Sequence, residues 1–247
     1  MYVDRKYRNN LASDLETFEI KIKETDLLIS VSKGSVDDEI KNRILQYTFS
    51  LRNDLESYIS QDTKFRVTLV PHLVRPDAPV IARQMAKWAN MVGVGPMAAV
   101  AGGFAEFVGK FVKRYSDEII VENGGDVYLS SSKVRIIGIF AGRSPFSNKV
   151  GLKLSPQKMP LGVCTSSGNV GPSISFGRAD AAVVLAKSTF LADAVATAVG
   201  NRVQVWEDFE EAISFARNIK GVEGVLLIKD DKMAAWGEIE LVSLKTT

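Results

Sequence analysis

One cysteine, Cys164, and one histidine, His72, are all that the 247 residues supply of either kind. A single cysteine closes no internal disulfide and builds no Cys-based zinc centre, and zinc held by several histidines is excluded as well. Any Ser-His-Asp triad or Cys-His dyad must run through His72, which removes a large share of hydrolase chemistry at the outset. An excess of one charge is also missing: 31 Lys and Arg face 29 Asp and Glu, a net charge of +2. No chain-wide field therefore gathers nucleic acid or an anionic membrane. The most apolar stretch, Trp88 to Ala105, is broken by Asn90, Pro96 and several glycines, whereas a bilayer span needs ~20 strongly apolar residues. The start, Met1 to Lys6, leads into no apolar run and does not read as a signal peptide. No G-x-G-x-x-G, P-loop, repeat or low-complexity tract occurs. What remains is 46% hydrophobic and 24% charged, the balance of a folded globular protein. The expectation is a cytoplasmic chain forming one domain over 1–247, with neither nucleic acid nor membrane as partner.

Periodicity sketches the elements. Phe18, Ile20 and Ile22 alternate with charges, and Leu27 to Val31 is a second apolar run, so two strands are expected around a turn at Glu24-Thr25-Asp26. Ser35 is placed to cap a following helix whose apolar face carries Ile40, Ile44, Tyr47, Leu51, Leu55 and Tyr58. Phe65 to Val70 reads as a strand ended by Pro71. Pro79 sits in the first turn of the next helix, and Pro96 starts another after Gly93 and Gly95. Glu118 to Glu122, Val134 to Phe140 and Val150 to Leu154 read as strands, and the wholly apolar Ala181 to Ala186 as a central one. Helices follow at Leu191 to Val199 and around Phe209 to Ile219. Val225 to Lys229 and Met233 to Leu244 close the chain as a hairpin over Asp230-Asp231. Strands in pairs and runs, with helices between the groups, define an α+β fold with a mostly antiparallel sheet.

Three segments carry chemistry. Asn123-Gly124-Gly125-Asp126 follows a strand; its glycines let backbone N–H groups approach a ligand, or form a plain two-residue hairpin turn. Thr165-Ser166-Ser167-Gly168-Asn169 gathers hydroxyls that suit a phosphate or ribose, and equally a solvated loop. In Ala192-Asp193-Ala194-Val195-Ala196-Thr197-Ala198 the spacing of four sets Asp193 and Thr197 one helical turn apart among small residues. That is an oxygen site for a hard cation such as Mg²⁺, or else a hydroxyl bonded back to the helix.

Taken together and in this order, the segments resemble the ApbE family of flavin transferases. The motif-bearing part, about 94–200, runs from Ala99-Val100-Ala101-Gly102-Gly103-Phe104-Ala105 through Gly124-Gly125-Asp126 and Thr165 to Gly168, to Ala192 to Ala198. Glu24-Thr25-Asp26-Leu27 and Ser173 to Asp180 look like a short, uncharacterised archaeal and bacterial branch. The resemblance implies a T-fold-related antiparallel sheet with packed helices, and a cleft holding FAD or a related dinucleotide beside Mg²⁺. In the family this serves to move FMN onto a threonine of an acceptor protein. It places Asp193, Thr197 and the carbonyl of Ala101 on the metal. Asn123, Gly124, Gly125, Asp126, Thr165, Ser166, Ser167 and Gly168 line the dinucleotide pocket.

Two departures weigh against ordinary transfer. The transferases carry a Lys where this chain has Gly102, and a His ahead of a D-P-x-T-G segment where it has Gly171 to Arg178. His72 lies far upstream and reads as a packing or surface residue; Asp180 offers a stand-in base, or else is a simple residue at the entry to an apolar strand. The expectations are a Mg²⁺-dependent dinucleotide-binding protein with flavin-transfer or hydrolase activity, a binding protein without chemistry, or an assembly protein using the sheet alone, with homo-oligomers allowed in each case.

Overall fold

The computed structural model describes residues 14–168 and 176–244. Eight strands form one sheet in the order β1-β2-β3-β4-β7-β8-β9-β10, every neighbouring pair antiparallel. They are β1 (Leu15–Ile22), β2 (Thr25–Ser32), β3 (Ile119–Asn123), β4 (Asp126–Ser130), β7 (Leu161–Ser166), β8 (Ala181–Ala186), β9 (Val222–Lys229) and β10 (Lys232–Gly237). A three-stranded sheet, β11-β6-β5, is built from β5 (Arg135–Gly138), β6 (Val150–Leu154) and β11 (Leu241–Ser243). The helices are α1 (Asp38–Gln61), α2 (Thr63–Val67), α3 (Val80–Met91), α4 (Val100–Val112), α5 (Thr189–Gly200) and α6 (Phe209–Arg217). The α+β, mostly antiparallel expectation is met.

Strand alternation decides what each face of the large sheet covers. In β8, Ala182, Val184 and Ala186 face the helices, while Ala181, Val183 and Leu185 face the small sheet. Both faces being covered, the strand is apolar throughout, as its sequence required. Among the described residues no single helix is long and apolar enough to cross a membrane; the apolar stretch Trp88 to Ala105 is divided between α3 and the helical run Pro96–Val112, which meet at 104°.

Several boundaries differ from the sequence reading. Thr25 and Asp26 already belong to β2, and the hairpin turns at Lys23-Glu24, with Lys23 at φ +53°. Asp37, not Ser35, caps α1, because its carboxylate accepts the N–H of Ile40 at 2.8 Å while the Ser35 hydroxyl turns back to the Ser32 carbonyl. Phe65 to Val70 is not a strand. Residues 63–67 form α2, which buries Phe65 completely, and the chain beyond has no strand partner. Pro79 stands just before α3, and Pro96 opens a 3₁₀ turn rather than α4 itself. The closing hairpin ends at Gly237 (φ +80°), after which β11 crosses to the small sheet.

A buried ion network fastens the two sheets. Arg135 of β5 reaches Glu118 at 2.6 Å and Asp14 at 2.8 Å, and Glu118 also accepts the N–H of Ser132 at 2.8 Å. Although burial opposes it, donation from Ser131, Ser132 and Arg135 pulls the Glu118 carboxyl down to about 2. A lowered carboxyl adds stability that is whole above the unfolded value near 4.5 and is lost as pH falls from there towards 2. After screening, roughly 1–2 kcal/mol should disappear over that window. Urea melts across pH 2–5 should show a slope that Arg135→Gln flattens; equal slopes would detach the network from stability.

Candidate functional site

The site lies on the helix-covered face of the large sheet, at the end where β3 turns into β4. That turn is a two-residue hairpin, Asn123 pairing with Asp126 across Gly124 (φ +67°) and Gly125 (φ +103°). Only glycine takes both conformations without strain, and a Cβ on Gly125 would meet open space. The plain-turn and close-approach readings therefore coexist. Alternation aims Asn123 and Asp126 at the helices, and the ladder of Val127 with Val163 sets Cys164 opposite Asp126.

Helix α5 runs in the direction of β7, Thr189 lying over Gly162 and Gly200 over Ser166. This carries Asp193 against the start of α4, whose first N–H groups lack partners within the helix. Gly102 donates its N–H to Asp193 Oδ2 at 2.8 Å, and Asn123 Nδ2 donates to the Ala101 carbonyl at 3.1 Å. Asp126 Oδ1 accepts the N–H of Thr165 at 3.2 Å. One small volume thus joins Ala101, Asn123, Asp126, Thr165 and Asp193, which the sequence spreads over four motifs. Thr197 stands half-buried one turn beyond Asp193.

Electrostatically the volume is under-compensated. Burial pushes Asp126 up to about 7, against the opposing donors Cys164 and Thr165. Burial, and then the charge of Asp126, pushes Asp193 well above the carboxylate range, the N–H groups of Gly102 and Ala101 opposing. No Lys or Arg among the described residues pairs with either carboxylate. Two buried acids facing one another without a cation are what a divalent ion relieves, and the neighbouring carbonyl and hydroxyl are the hard oxygen donors Mg²⁺ prefers. The residues present fit such an ion. No group of three His, Cys, Asp or Glu among the described residues is placed to hold a metal ion, so water and ligand oxygens would complete its shell.

The other sequence candidates fall as follows. Ser166 lies beneath Gly200, and Gly168 is clamped, its N–H on the Ala179 carbonyl at 2.9 Å and its Cα against Gly177. Ser167 follows β7 as a half-buried residue. Asp180 is tied to another place: its Oδ2 accepts the N–H of Asp230 at 2.6 Å, fastening the β9–β10 turn. Asn169 and 171–175 lie outside the described residues. His72 sits elsewhere, its Nε2 2.7 Å from Asp62 Oδ2. Sequence reasoning missed Cys164, whose thiol burial and then the charges of Asp126 and Asp193 push up. The signal for it was register: it stands opposite Asp126.

The architecture is that of the solved flavin transferases. Flavin Transferase ApbE from Vibrio cholerae superposes with a TM-score of 0.59 at 13% identity, covering 90% of this chain and 97% of the other. The apo flavinyl transferase ApbE of Pseudomonas stutzeri gives 0.59 at 14%, with 90% and 94% covered. Residues 8–235 match the family described as AbpE bacteria, and the chain belongs to that family. Its relatives include UPF0280 proteins of Methanothrix thermoacetophila, 44% identical over 190 residues (76% of this chain, 79% of the relative), and Methanocaldococcus jannaschii, 41% identical over 229 (90% and 91%).

Proposed function

We propose that the cleft binds FAD or a related flavin dinucleotide together with Mg²⁺. The observation that carries this reading is the buried, uncompensated pair Asp126 and Asp193 at the start of α4. Asp193, Thr197 and the Ala101 carbonyl would hold the ion, which when bound neutralises charge on a diphosphate. Asn123 fixes the Ala101 carbonyl, and Gly102 fixes the Asp193 carboxylate, so both are oriented before a ligand arrives. Gly124-Gly125 leaves room for close approach, and the segment Thr165, Ser166, Ser167 and Gly168 lines the pocket beside it.

Binding without efficient FMN transfer to an acceptor protein is the reading we favour, because Asp180 is committed to Asp230 and no histidine stands in the motif region. Hydrolysis of the dinucleotide remains the enzymatic form of the same reading. In calorimetry with FAD present, Asp193→Asn should weaken Mg²⁺ binding at least tenfold while the melting profile is kept, since the amide is nearly isosteric but uncharged. Unchanged Mg²⁺ affinity would end the metal reading.

A further inference from the structure

The connection from α2 to α3 carries aliphatic side chains into solvent. Val67 is 71% exposed, Leu69 52%, Val70 62% and Leu73 90%. The segment bearing them is nevertheless held firmly from behind. His72 exchanges both backbone groups with the Asn90 amide, N–H to Oδ1 at 2.8 Å and carbonyl from Nδ2 at 2.9 Å. Its ring meets Asp62, and the N–H of Arg75 meets the Tyr58 hydroxyl at 3.1 Å. Thr68 lies so close to Gly95 that a Cβ there would stand 1.9 Å from its carbonyl oxygen. A strap anchored this way presents its apolar side chains at a fixed place.

The unpaired charge around the strap is cationic. Lys64 and Arg66 precede it, and the exposed residues Arg83 and Lys87 lie on α3 in one stripe with Met91, 49% exposed, beside the strap anchor Asn90. None of these four cations has an acidic partner among the described residues; the acids at hand, Asp62 and Asp77, are taken by His72 and Arg75. The overall charge of +2 conceals this segregation. Two copies meeting through this face would set like charges together, which disfavours self-association. An exposed apolar strap flanked by unpaired cations instead complements a deformable apolar medium under an anionic surface.

We infer that the strap Val67–Leu73, with Lys64, Arg66, Arg83 and Lys87, docks the protein peripherally on an anionic lipid bilayer. The inference is independent of any ligand in the cleft. The aliphatic tips enter the headgroup boundary, and the cations stay at headgroup level.

The test is co-sedimentation of the full chain with vesicles of phosphatidylcholine containing roughly one quarter phosphatidylglycerol. Binding is expected there, with little to phosphatidylcholine alone and loss in high salt. Leu73→Glu, which changes a side chain free of packing, should weaken binding roughly tenfold or more. Lys64→Gln with Arg66→Gln should do so roughly twenty-five-fold, at about fivefold for each charge near the surface. Circular dichroism checks that each variant keeps its fold. Absence of binding to the anionic vesicles overturns the proposal, as does binding that Leu73→Glu leaves unchanged. A dimer seen by light scattering and abolished by Leu73→Glu, without vesicle binding, would assign the face to a second copy instead.

Discussion

FMN transfer from FAD to a threonine-bearing acceptor peptide is expected to run at no more than a trace rate, even with FAD and Mg²⁺ in excess. A threonine nucleophile needs a base to take its proton, and a positioned base contributes ~10²–10⁴-fold. This chain lacks the histidine and the D-P-x-T-G residues of the transferases, and Asp180 already accepts the N–H of Asp230 at 2.6 Å. Released AMP measured by chromatography and flavin fluorescence of the peptide report the two products. Robust transfer would overturn the expectation. If Asp180→Asn then removed it, Asp180 would be the base after all, freed from its turn when ligand binds.

Gly102→Ala should destabilise the protein by about 3 kcal/mol or more, even though alanine is the better helix former by ~1 kcal/mol. The added Cβ would lie 2.5 Å from the Thr189 carbonyl oxygen and 2.8 Å from Asp193 Cβ. Neither neighbour is the loose end of a flexible side chain, so α4 and α5 must separate, and the bond from Gly102 to Asp193 goes with them. Urea denaturation would show it as a lower midpoint. An unchanged midpoint would mean that the helices have slack. The same geometry accounts for the departure from the transferases at this position: a lysine there requires a wider α4–α5 contact than this chain has.

The sheet and most helices were legible because their patterns are local. The apolar run of β8, the alternation in β1 and the stripe on α1 each record what covers them. Phe65 to Val70 misled because a short apolar run has no period of its own; burial of Phe65 against Tyr58 and His72 decided for a helical turn. Ser35 read as the cap of α1, but its hydroxyl turns back to the Ser32 carbonyl and the Asp37 carboxylate takes the Ile40 N–H instead, a choice that depends on side-chain direction. At the site, Asp126 and Asp193 were each visible, but their mutual repulsion was not, since it arises from strand register and helix placement across a long separation in sequence. Cys164 was hidden for the same reason.

Helix α5 meets its neighbours through glycine on several sides: Gly102 and Gly103 of α4, Gly162 of β7, and its own Gly200 against Gly177. Most of these contacts run backbone to backbone or backbone to ring, with no side chain between to tilt or compress. Such a helix cannot slide to admit a larger ligand; it serves as a fixed reference from which the position of Asp193 is measured. In the cleft we propose, adaptation to different ligands would then fall to the β3–β4 turn, where a Cβ on Gly125 would meet open space.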